Sequence, residues 1–123
     1  MFELKSKEQE YTFYLSGPMT GYDEYNYPAF QRVSTKLRDM GLKIVSPHEC
    51  KSPEKEMTPD DMWEYYMRLC MKEMDRCQGI IMMRGWTDSK GACTELQRAI
   101  TKEWPVFLYL EYPNRIIRMS RQM

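Results

Sequence analysis

The stretch "GIIMMRGWTDSKGACTEL", residues 79–96, decides the fold. Its first five residues are an apolar run too short for a helix, and they read as a buried strand. A polar turn follows, and helical spacing then begins near residue 90. Ser89 or Asp88 is the expected N-cap, at a helix start whose free N–H groups and partial positive charge suit a phosphate. Gly91 lets the backbone approach a ligand closely. At about 100° per residue, Ala92, Leu96, Ala99 and Ile100 share one face, and Glu95 falls on its border. A carboxylate there is held against the sheet and partly desolvated, which raises its pKa and sharpens it as a nucleophile or base. The same position also suits an ordinary i,i+3 pair with Arg98.

The pattern extends in both directions. "YTFYLSG" (11–17) is a short β-branched and aromatic run stopped by Gly17-Pro18, a strand. Phe30, Val33, Leu37 and Met40 mark a helix over 28–40, ended by Gly41. "LKIVS" (42–46) is a second strand, and "PHECKSPEKEM" (47–57) a loop. Thr58 as N-cap, Pro59 at the first position and Asp60-Asp61 in the first turn open a second helix. Met62, Trp63, Tyr66, Met67, Leu69, Cys70 and Met74 form its broad apolar arc. Residues 90–103 are a third helix and "VFLYL" (106–110) a fourth strand. The tail from 111 reads as either a strand or a helix, and residues 1–10 as a loose start to a single domain spanning 1–123.

Strands and helices alternate, which implies an α/β protein with parallel strands and right-handed crossovers. Three layers are expected, around a mostly parallel sheet of four to five strands with order 2-1-3-4 at its core. The ligand crevice of such a sheet lies beyond strands one and three, where strand order reverses. "SGPMTGY" and "GWTDSKG" would meet there. The first loop then offers either a base-binding wall running into "YDEYNY" or a plain βα turn. Neither a Walker A loop nor the G-x-G-x-x-G fingerprint is present.

Composition excludes several classes. The 123 residues carry 18 Lys plus Arg and 18 Asp plus Glu, so no basic field favours nucleic acid or an anionic membrane. The four cysteines form no C-x-x-C pair and His48 is the one histidine, so neither a metal nor a cofactor is expected. Without a signal peptide or spanning run, the chain reads as cytoplasmic with reduced thiols. His48 either lines the crevice or sits on a surface loop. Trp86 either stacks on a base or covers the core edge. Glu73, inside the apolar arc of helix two, either reaches the sheet end or snorkels outward. That arc spans more than half the helix, so an obligate homo-oligomer, most simply a dimer, is expected.

"YLSGPMTG" (14–21) together with 79–96 resembles the nucleoside 2-deoxyribosyltransferase-like superfamily. It sits near the 2'-deoxynucleoside 5'-phosphate N-hydrolases and related small phage and bacterial proteins, which would place a phage-encoded protein in the host cytoplasm. The resemblance covers about residues 11–110 and implies a flavodoxin-like fold and cleavage of an N-glycosidic bond. It puts the family's nucleophilic glutamate on Glu95, its phosphate-contacting serine on Ser89, its motif tyrosine on Tyr14 and its loop glycine on Gly17. The implied ligand is a deoxynucleotide, and neighbouring subunits complete the family's sites. The expected catalytic set is Glu95, Tyr14 and Asp88. The expected binding set is Ser16, Gly17, Met19, Thr20 and Gly21 from one loop, and Trp86, Ser89 and Gly91 from the other. Two positions depart from the family. Its helix-two aspartates fall on Cys70 and Gln78, leaving Glu73, Asp75 or Asp88 as substitute acids, and Thr20 stands where the hydrolases carry an arginine. A binding protein of the same fold, which sequesters a nucleotide without cleaving it, is the alternative.

Overall fold

The computed structural model describes residues 4–19, 21–50 and 56–119. Eight main elements follow in order: β1 (Thr12–Ser16), α1 (Tyr27–Asp39), β2 (Lys43–Val45), α2 (Pro59–Met74), β3 (Gly79–Met83), α3 (Lys90–Thr101), β4 (Val106–Leu110) and β5 (Arg115–Arg118). They form one sheet of order β2-β1-β3-β4-β5, parallel from β2 to β4 and closed by an antiparallel β5. The undecided tail is therefore a strand. Asn114, in the left-handed region, turns the chain back, and Ile116 drops into the core. The loose start is corrected as well. Lys7–Glu10 is a 3-10 turn, and Glu8 is buried against Arg118 of β5, an ion pair that fastens this segment to the sheet edge. Of the loop expected over 47–57, Pro47–Glu49 is a 3-10 turn, and 51–55 lie outside the described residues.

Strand pleating divides the core in two. Phe13, Leu15, Ile81, Met83 and Phe107 point to one face and meet Phe30, Val33 and Leu37 of α1. Tyr14, Ile80, Met82 and Val106 point to the other, toward Cys70 and Met74 of α2 and Ala92 and Ala99 of α3. Ser16 lies two residues beyond Tyr14 and shares its face. The period-two rule therefore aims two hydroxyls, not one, at the start of α3.

Gly79 is the tightest point of the first face. A Cβ there would stand 2.5 Å from Phe13 Cε1, and Phe13 is locked edge-on to Phe107 at 5.7 Å between ring centres. Gly79→Ala is expected to destabilise the protein by about 1–3 kcal/mol, the usual cost of forcing atoms into a filled core. Urea unfolding checks this, as a lower midpoint at unchanged slope.

Candidate active site

Close backbone contacts bring the loops after β1 and β3 together. A Cβ on Gly17 would lie 2.9 Å from Met83 Cβ, and one on Gly85 would lie 3.4 Å from Pro18. Gly85 also has φ +91°, which a side chain would strain. Only glycine at both places lets the two strand exits close on one crevice.

Glu95 stands at the floor of that crevice, on the first turns of α3, and is 4% exposed. Tyr14 donates its hydroxyl to Oε2 at 2.7 Å. Ser16 donates to Oε1 at 2.6 Å. Cys70, on α2, lines the same cavity as the carboxylate. Burial lifts Glu95 to a pKa of about 7, and the Ser16 and Tyr14 donors hold it from rising further. Burial and the carboxylate together push the Tyr14 phenol well above its ordinary value, so it stays a donor. Neutral donors are what this carboxylate has: among the described residues it pairs with no Lys or Arg. Arg98, the alternative partner three residues on, is taken by Asp75, the C-cap of α2, at 3.1 Å.

Above Glu95 opens a cavity of about 700 Å³. Gly17 and Met19 line one side, and Ser89, Lys90 and Gly91 line another. The third wall is α2, with Asp60, Trp63, Glu64, Tyr66, Met67 and Cys70. Ser89, not Asp88, caps α3, its Oγ accepting from the Ala92 N–H at 3.1 Å, and its proton remains free to donate. The Lys90 ammonium sits 4.4 Å from the centre of the Trp63 ring, so one cation overhangs the helix start. Tyr25 closes the rim from "YDEYNY", in a run of left-handed residues with Glu24 and Asn26. The Asn26 amide holds that run by donating to the Pro18 carbonyl at 2.9 Å.

The structure therefore brings Tyr14, Ser16, Gly17, Met19, Ser89, Gly91 and Glu95 to one place. It does not bring the others. Asp88 is exposed on the 3-10 turn Trp86–Asp88, outside the cavity lining. Trp86 packs on the second core cluster, covering its edge. Gly21 is exposed in a turn at φ +87°. Thr20 lies outside the described residues. The substitute acids on α2 are engaged elsewhere: Glu73 snorkels to Arg76, and Asp75 bonds Arg98 and Lys102. His48 bonds Ser46 across 2.6 Å and edges the Tyr27 ring, away from the cavity lining.

Sequence reasoning missed the α2 wall, Asp60 and Glu64 above all. The breadth of the apolar arc was the available signal. Met62, Trp63, Tyr66 and Met67 are half-buried because they face a cavity, not because they fill a core. No grouping of His, Cys, Asp or Glu among the described residues could hold a metal ion. No helix among them is long and apolar enough to cross a membrane.

A parallel sheet of order 2-1-3-4 with an antiparallel fifth strand, and a glutamate beneath its crevice, defines a protein with the nucleoside 2-deoxyribosyltransferase fold. A solved 2-deoxyribosyltransferase from the psychrotolerant bacterium Bacillus psychrosaccharolyticus, described as a biocatalyst for nucleoside synthesis, superposes at a TM-score of 0.61. The match covers 80% of this chain and 71% of that one, at 20% identity. The family model described as Domain of unknown function (DUF4406) matches residues 11–107, and the chain belongs to that family. No curated protein matches it in sequence.

Proposed function

We propose that this protein cleaves the base–sugar bond of a 2'-deoxynucleoside 5'-monophosphate, with Glu95 as nucleophile. One observation carries the proposal: a carboxylate buried without a cation among the described residues, its two oxygens on two hydroxyls, lining a cavity large enough for a nucleotide. Burying such a charge is costly, and a structural glutamate would be expected to find an ammonium or guanidinium. An oxocarbenium-like transition state brings its own positive charge to the site.

The chemistry follows from that placement. A Glu95 oxygen attacks the anomeric carbon as the bond to the base breaks, giving a glycosyl ester. Tyr14 and Ser16 fix the carboxylate so that little reorganisation is needed. Asp60 and Glu64, the other carboxylates that line the cavity among the described residues, are the acids available to protonate the leaving base, in place of Asp88. Water then releases the sugar, or a second base accepts it. The aromatic rings of Trp63, Tyr66 and Tyr25 offer the base apolar faces. Incubation with a mixed pool of deoxynucleotides tests the reading directly: free base is expected, and none released from any of them rejects it.

The phosphate is assigned to the start of α3, where Ser89 and the amides after it open toward the cavity beside Lys90. Ser89→Ala is expected to weaken a deoxynucleotide about tenfold while weakening the matching nucleoside less, since a lost hydrogen bond to a charged group is worth about 1.5–3 kcal/mol. Titration calorimetry on both ligands reads this. Equal weakening would leave Ser89 as a cap alone.

The same α2 also bears on assembly. Leu69 of that arc, and Tyr65 one turn before it, remain half-exposed beyond the cavity wall. A dimer is expected in solution, and light scattering near the 14.9 kDa of one chain at micromolar concentration would refute it.

A further inference from the structure

The rings that line the cavity fall into two groups. A Cβ on Gly91 would lie 3.4 Å from Met67 Sδ and 3.8 Å from Trp63 Nε1, and the Lys90 ammonium sits over the Trp63 ring. Trp63 therefore stands at the start of α3, the end assigned to phosphate. On the side of the β1 loop, Tyr25 and Tyr66 meet with ring centres 6.5 Å apart and planes tilted by 41°. Each has a second ring behind it. Tyr27 lies 6.2 Å from Tyr25, and Tyr65 meets Tyr66 edge-on at 5.5 Å. Tyr25 and Tyr66 thus form a buttressed aromatic corner inside the cavity lining.

The backbone that presents Tyr25 is costly. Glu24, Tyr25 and Asn26 have φ of +52°, +53° and +62° in succession. There the Cβ crowds the next carbonyl oxygen, and of the three only asparagine adopts this region readily. Burial does not offset that cost, because Tyr25 is 48% exposed. Two hydrogen bonds maintain the turn: the Tyr25 N–H donates to the Tyr22 carbonyl at 3.1 Å, and the Asn26 amide donates to that of Pro18. Strain held in this way concentrates where a chain clamps a ligand.

The lining also lacks the side chains that read a base by its edge. Among the described residues that line the cavity there is no Asn, Gln or Arg, the types that pair with a base edge through two hydrogen bonds. Lys90 lies at the phosphate end. What the corner offers is π surface, which any base matches with its face.

We propose that Tyr25, together with Tyr66, selects the substrate by the planar face of its base. The base of the deoxynucleotide stacks in the corner, so binding requires an aromatic base and strengthens with its area. Tyr25 is a specificity residue and takes no part in breaking the bond. The stacking stands on the rings and the turn, whereas its role in choosing a substrate rests on the glycosidase reading.

Calorimetry in the Glu95→Gln background, where ligand is not consumed, tests this with three ligands: deoxyadenosine 5'-monophosphate, deoxycytidine 5'-monophosphate and deoxyribose 5-phosphate. Tyr25→Leu keeps an apolar side chain and removes the π-face, while Tyr25→Phe keeps the face. Tyr25→Leu should weaken the adenine nucleotide about tenfold, the cytosine nucleotide less, and the sugar phosphate by no more than about twofold. Tyr25→Phe should bind all three as the tyrosine does. Equal weakening of all three ligands by Tyr25→Leu overturns the proposal, since it makes Tyr25 a support for the whole site. Unchanged binding of both nucleotides overturns it too, since the base then lies elsewhere. Base release is read separately, on protein that keeps Glu95. Its absence rejects the glycosidase, and a base-dependent loss on Tyr25→Leu still upholds the corner.

Discussion

Glu95→Gln will bind deoxynucleotide and release almost no base. Glutamine matches the volume of glutamate, and Tyr14 and Ser16 can each bond an amide as well as a carboxylate, because a hydroxyl both donates and accepts. The ligand's contacts with Ser89, Lys90 and the α2 wall are untouched. A neutral amide neither attacks the anomeric carbon nor balances an oxocarbenium charge, so turnover should fall about a thousandfold or more, some 4 kcal/mol of barrier. The fold should not weaken. At pH 8 the wild-type carboxylate is ionised in a site that would hold it protonated below about 7, and the amide carries no such cost, so the melting temperature should hold or rise. A structural glutamate forecasts the reverse, with melting temperature lowered and base release unchanged. Both quantities can be read on one preparation, and that second pattern would remove Glu95 from the mechanism.

What the sequence disclosed follows from which forces are local. The parallel strands and their crossovers were legible because apolar runs such as "GIIMM" and "VFLYL" are too short for helices and are buried on both faces. The border position of Glu95 was legible from helical phase alone. Its partnership with Tyr14 and Ser16 was not: two residues of one strand share a face, but the face they share is set by register and by which crossover covers it. β5 was hidden because only Ile116 of its residues is fully buried, leaving little alternation to detect. From sequence, Asp60 complements the helix dipole, a role that accounts for it completely. That it also lines the cavity depends on where α2 lies over the sheet, which is a tertiary fact. From sequence, Glu73 and Asp75 stand as substitute acids, yet Arg76, Arg98 and Lys102 supply partners that the local pattern does not show.

The elevated Glu95 couples stability and turnover to pH in opposite directions. Its folded-state pKa, about 7, lies above the ordinary 4.5. Between those values the folded protein holds a proton that the unfolded chain has released. The stabilisation this gives is fully present below pH 4.5 and is lost as pH rises to 7, a total of roughly 3 kcal/mol at 1.36 kcal/mol per pH unit. Other groups titrate nearby and slope the other way: burial lowers His48, and Arg32 and Lys36 hold Glu111 down near 2. Subtracting the Glu95→Gln stability curve from that of wild type cancels both and isolates the glutamate. That difference should fall from pH 4.5 to 7 and then flatten. Turnover runs against it, because the nucleophile must be ionised. Base release should climb about tenfold per unit below pH 7 and level off near 8. The two profiles must break at the same pH, since one proton governs both. A stability difference that is flat across this window would mean that Glu95 ionises as an ordinary surface carboxylate does, and the dry, unpaired charge on which the glycosidase reading depends would not exist.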